Sequence, residues 1–153
     1  MTLILDTGAF FALERNDRAM WRRLKAAKLA GVPPRTHGGV IAQVWRGGAG
    51  RQAPLARALK SIETTPLDDG LGRRAGVLLA RSGMGDAIDA AVVALADHDD
   101  QIITSDPGDI ASLVHKATGR ECVAKGEKID RLQLFEDKPK QFDAWEIDLT
   151  RQK

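Results

Sequence analysis

Short apolar runs that stop at or just before an aspartate alternate with stretches of helical period, and this alternation restricts the chain to a few architectures. Leu3-Ile4-Leu5 ends at Asp6, and Gln101-Ile102-Ile103-Thr104 ends two residues before Asp106. A weaker strand is predicted near 62–67 and a last one around 121–124. Helical segments are predicted after Ala9, from Asp17 to about Ala30, and over 40–45, 53–60, 68–81, 86–96 and 107–116. Gly31 with Pro33-Pro34 closes the second of these. Short strands separated by helices of this length form βαβ units, so the fold class is α/β: a small parallel sheet of about four to five strands flanked by helices.

In such a sheet the ligand site lies beyond the carboxyl ends of the strands, where these aspartates fall. Asp6, Asp86 and Asp89 (in Gly85-Asp-Ala-Ile-Asp-Ala), and Asp106 and Asp109 (in Thr104-Ser-Asp-Pro-Gly-Asp) form an acidic set. Crowded carboxylates repel one another unless a divalent cation holds them, so the set points to a metal-dependent hydrolase. Three scattered histidines and the lone Cys122 offer no zinc pattern and no internal disulfide, so any metal is oxygen-bound. Each aspartate also has a structural reading. Asp106 before Pro107, and Asp86 after Gly85, are what a helix N-cap looks like, whereas Asp6 shows no evident capping role.

The net charge of +2 conceals an asymmetry: residues 1–60 carry 11 Lys and Arg against 3 Asp and Glu, and residues 61–153 carry 12 against 18. A polyanion could bind the first half while the second holds metal, although a solvated helix face accounts equally for Arg18 to Lys28. Arg46, Arg51 and Arg57 are the candidate substrate-binding cations. Trp21 and Trp45 fall among apolar helix positions and are expected to pack rather than stack on bases. No apolar run approaches the roughly 20 residues of a membrane span, and the first residues lack a basic region, so a cytoplasmic protein without membrane contact is expected.

The order of the acidic segments resembles that of PIN-domain proteins of the VapC toxin type, over about residues 1–125. The shared features are an opening strand ending in Asp6 with Thr7 behind it, a central helix headed by Asp86, and a strand ending Thr104-Ser105-Asp106. The resemblance implies a PIN-like fold and a Mg²⁺- or Mn²⁺-dependent endoribonuclease, the toxin of a toxin–antitoxin pair. It implies as partners an RNA substrate, a cognate antitoxin and a second copy in a homodimer. Asp6, Asp86 and Asp106 would hold the ions that polarise the scissile phosphate and activate a water, with Asp109, Asp89 and Gln43 around them. Gln43 stands where that family usually has Glu, and it brings an oxygen but no charge. An inactive module that binds RNA or antitoxin is therefore the alternative.

Two further resemblances lie elsewhere. Leu3-Ile4-Leu5-Asp6-Thr7-Gly8-Ala9 matches the catalytic loop of retroviral-type aspartic proteases, but helical sequence follows where that all-β fold needs strand. Residues 126–153 break the strand–helix alternation and are expected to be a separate C-terminal tail. The stretch from Arg131 to Asp148 resembles a segment of family 38 α-mannosidases, and its 28-residue setting is too short to carry that activity.

Overall fold

The computed structural model describes residues 1–120, 122–125 and 130–134. Strand β1 (Leu3–Leu5) leads into α1 (Thr7–Glu14) and α2 (Arg18–Leu29). Then come β2 (Arg35–His37), α3 (Gly38–Val44), a 3-10 turn at Gly50–Gln52, α4 (Ala53–Leu59) and β3 (Glu63–Thr65). The chain continues through α5 (Asp69–Ser82), α6 (Ala87–Leu95), β4 (Gln101–Thr104), α7 (Pro107–Thr118), β5 (Cys122–Lys125) and β6 (Asp130–Leu134).

The sheet runs β3-β2-β1-β4-β6-β5. The first four strands are parallel, with Leu3, Ile4 and Leu5 in register with Gln101, Ile102 and Ile103. Strand β6 is antiparallel to both β4 and β5. This is the expected α/β class, a small parallel sheet flanked by helices, with an antiparallel pair added along one side. Burial explains the arrangement. All four residues of β4 are buried, as a central parallel strand covered on both faces requires, while β3 at the edge is largely exposed. Ile4, Leu5, Phe10, Leu13, Ile102 and Ile103 are fully buried and join the sheet to α1.

Two features of the sheet were not anticipated. Strand β2 is Arg-Thr-His, a polar triplet with no apolar run to announce it. Its last two residues are buried, where Thr36 donates its hydroxyl hydrogen to the Leu5 carbonyl at 2.8 Å and His37 turns inward. Residues 130–134, set aside with the tail, pair with β4 through the register Gln101–Gln133 to Thr104–Asp130. The remainder of the 126–153 segment, including most of the stretch like family 38 α-mannosidases, lies outside the described residues.

Helix boundaries follow capping chemistry. Asp17 accepts from Met20 N at 2.8 Å and Asp68 from Leu71 N at 2.9 Å, so these two acids end outside their helices as structural caps. Gly83, at φ +70, closes α5 in the left-handed conformation. No helix among the described residues is long and apolar enough to cross a membrane.

Candidate functional site

The parallel pairing of β1 with β4 brings Asp6 beside Thr104, and α6 and α7 deliver their first turns to the same sheet edge. Three of the aspartates share one structural device. Asp6 caps α1, accepting from Thr7 N on Oδ1 at 2.6 Å. Asp86 caps α6, accepting from Ile88 N at 2.8 Å and Asp89 N at 3.0 Å on the same Oδ1. Asp106 caps α7, accepting from Asp109 N at 3.3 Å. Asp6 therefore does have a capping role, contrary to the reading of its sequence position. Three helix N-termini converge, and their unpaired N–H groups and positive dipole ends favour carboxylates there.

Asp6 is nearly fully buried, and its second oxygen is also satisfied. Thr104 donates its hydroxyl hydrogen to Oδ2 at 2.8 Å, and Thr104 Oγ1 in turn accepts from Asp106 N at 3.0 Å. Thr104 thus joins the two aspartates, a role its place at the end of an apolar strand did not announce. Asp86, Asp106 and Asp109 are exposed.

Asp89 is the electrostatic centre of the set. Burial, and after it the charges of Asp6, Asp86, Asp109 and Asp106 in that order, together push its carboxyl up to about 7. The four carboxylates whose charges act on Asp89 are the other four aspartates selected from the sequence. Among the described residues, however, no three Asp, Glu, His or Cys side chains stand in an arrangement that could hold a metal ion.

Gln43, on the last turn of α3, accepts the Thr7 hydroxyl hydrogen on Oε1, which places it against the start of α1 next to Asp6. His37 was not among the candidates. It is fully buried at the end of β2, with Gly39 N donating to Nδ1 at 3.1 Å and Nε2 set 3.1 Å from the Ile88 carbonyl. These partners fix the neutral ring with its proton on Nε2. Burial holds the imidazole below its ordinary value, opposed by the Ile88 carbonyl and the Asp6 charge. Gly39 makes this packing possible, because a Cβ there would lie 2.8 Å from His37 Cε1 and 2.5 Å from Ile88 Cδ1. The Gly38-Gly39 pair after a histidine was the available signal.

The three arginines do not share one surface role. Arg46 donates to its own helix end, to the Trp45 carbonyl at 2.7 Å and the Gln43 carbonyl at 2.9 Å. Arg57 stacks on the Trp21 ring, 4.7 Å from its centroid, and Arg51 is exposed. Trp21 is half-buried as a packing residue, whereas Trp45 is 38% exposed with its ring against Gly48.

One protein family matches the chain, the glycosyl hydrolases family 38 C-terminal domain, over residues 101–153. No curated protein and no solved structure matches. The match takes in the tail stretch whose resemblance to family 38 was apparent in the sequence, and it extends back through α7 and β4. It overturns the expectation of a PIN-domain ribonuclease of the VapC type, and with it the endoribonuclease activity and the toxin role. The physical reason lies in the caps. Asp6, Asp86 and Asp106, which carried that resemblance, each sit where a helix N-terminus calls for an aspartate, so their order along the chain follows from the α/β fold itself. Of the candidate site residues, only Asp106 and Asp109 lie inside the matched segment.

Proposed function

We propose that the five aspartates form a divalent-cation site, for Mg²⁺ or Mn²⁺, at the carboxyl edge of the parallel sheet. The observation that carries this reading is Asp89, whose carboxyl is pushed up to about 7 by burial and four neighbouring carboxylates. A hard cation relieves such crowding, and the available donors are hard oxygens. Ligation requires the exposed Asp86, Asp106 and Asp109 to turn toward Asp6 and Asp89. The cation would supply Lewis-acid polarisation of a ligand oxygen and a more acidic bound water.

The chain's own residues perform the remaining tasks. Thr104 and Thr7 N orient Asp6, the first turns of α6 and α7 carry Asp86 and Asp106 at the sheet edge, and Gln43 borders the site with a neutral amide. Asp89, raised to about 7, would give up its proton on binding the cation. Calorimetric titration of Mn²⁺ into the full chain at pH 7 tests the reading. Saturable binding with proton release is expected, weakened at least about tenfold, or 1.4 kcal/mol, in Asp86→Asn. Absence of saturable heat, or an affinity unchanged from the parent in both Asp6→Asn and Asp86→Asn, would sink it.

A second reading is favoured by the same carboxyl and by the family match. Glycoside hydrolysis uses one carboxyl that keeps its proton near neutrality and a second that is ionised. Asp89 meets the first condition, and its aspartate neighbours offer the second. Turnover of aryl glycosides that survives chelation of metal and is lost in Asp89→Asn would favour this reading over the cation site.

A further inference from the structure

A groove of about 330 Å³ runs between α2 and the end of α4, and its lining includes Trp21, Lys25 and Lys28 from the first helix and Arg57, Lys60 and Ser61 from the second and the turn after it. No acid lines it. None of its four cations pairs with an acid among the described residues. An adjoining hollow of about 300 Å³ shares Lys28, Lys60 and Ser61 and adds one acid, Glu63.

Helix dipoles account for part of this charge. Lys28 and Arg57 stand in the last turns of α2 and α4, where a cation complements the carbonyl end. Each such end is worth about −0.5 of a charge, so the two together leave roughly three of the four positive charges uncompensated. Trp21 gives an independent sign. Its indole Nε1 is buried and has no acceptor among the described residues, although a buried indole N–H usually finds one. Surplus positive charge and an unused N–H donor in one groove both call for an anion rich in oxygen acceptors.

Size and charge narrow the class. The volume is that of a small-ligand pocket, which starts at about 300 Å³. A phosphate group carries about −1.5 to −2 near neutrality, so two of them match the uncompensated charge. We propose that the groove between α2 and α4 binds a small molecule through a pyrophosphoryl group. Lys25, Lys28 and Lys60 neutralise its oxygens. Arg57, now 4.7 Å from the centroid of the Trp21 ring, turns from the ring to pair with the anion, and that turn lets a phosphate oxygen accept from Trp21 Nε1. None of the five aspartates lines the groove, so the proposal stands or falls independently of the cation site.

Calorimetric titration of pyrophosphate into the full chain, with no divalent cation present, tests the site. One saturable site is expected, weakened at least about tenfold, or 1.4 kcal/mol, in Lys28→Ala/Lys60→Ala. Arg51→Ala/Lys116→Ala removes the same charge outside the groove and should leave the affinity at the parent value. The indole N–H resonance of Trp21, identified by its loss in Trp21→Phe, should move along the same titration curve. ADP that binds more tightly than pyrophosphate would mark the ligand as a nucleoside diphosphate, and equal or weaker binding would mark the free anion. Absence of saturable binding would overturn the proposal, as would a Trp21 resonance that does not move. Equal weakening in the two double variants would overturn it too, since net charge alone would then govern binding.

Discussion

Thr104 donates its hydroxyl hydrogen to Asp6 Oδ2 at 2.8 Å, across two parallel strands and 98 residues of sequence. The carboxylate is 6% exposed, so water has little access to replace that hydrogen bond.

Thr104→Val keeps the shape of the side chain and removes the donor. The expected cost is about 1–3 kcal/mol of unfolding free energy, the desolvation penalty of a buried acceptor left unpaired. Thr104→Ser should recover most of it. Urea denaturation of the three proteins measures both, and a Val variant as stable as the parent would show that Asp6 draws its support elsewhere.

Asp89 predicts a pH dependence whose sign is fixed by its environment. Its carboxyl ionises near 3.8 in an ordinary setting and near 7 in the fold, so the native state holds a proton that the unfolded chain releases. The stability from this group is fully present below the unfolded value and is lost as pH rises through about 7. Asp89→Asn should therefore gain in melting temperature over the parent at pH 8 relative to pH 4. Saturating Mn²⁺ should shrink that difference, because a bound cation favours the ionised carboxylate. A difference that does not vary with pH would remove Asp89 from the centre of the cluster.

Gly8 is confined by Ser105. A Cβ at position 8 would lie 2.6 Å from both the Ser105 backbone nitrogen and its Cβ. Gly8→Ala should cost about 1–3 kcal/mol, since the start of α1 must move away from the end of β4. Adding Ser105→Gly relieves the side-chain clash only, so rescue should be partial. Complete rescue would show that the backbone has room to shift.

Gln43→Glu places a carboxylate where the Thr7 hydroxyl still has an acceptor. If Gln43 borders the cation site, Mn²⁺ affinity rises by about tenfold for each 1.4 kcal/mol of added attraction. Calorimetry measures the gain. An unchanged affinity would place Gln43 outside the reach of the ion.

Arg57 and Arg51 should separate in a stability measurement. Arg57 lies over Trp21 at 4.7 Å, a cation–π contact worth about 0.5–1 kcal/mol at an exposed site. Arg57→Ala should lose that amount while Arg51→Ala changes little, by thermal denaturation. Equal effects would mean that the stacking contributes nothing.

Much of the architecture was legible in the residues. The apolar run before Asp6, the Ile102-Ile103 pair and the helical periods between them determined a parallel α/β core, because burial on both faces demands such runs. The five aspartates were legible too, as acids at strand ends and helix starts. The polar strand Arg35-Thr36-His37 was not, since its two buried residues are polar and Thr36 is satisfied by the Leu5 carbonyl. Nor was the place of 130–134 beside β4, because antiparallel pairing across the sheet depends on backbone partners that no local pattern specifies.

What the acids do for the fold was decided only in three dimensions. The hydrogen bond from Thr104 to Asp6 and the carboxyl of Asp89 raised to about 7 arise from groups far apart in sequence. A side chain's charge state and partners depend on the dielectric and the neighbours around it, and only the closed sheet supplies both.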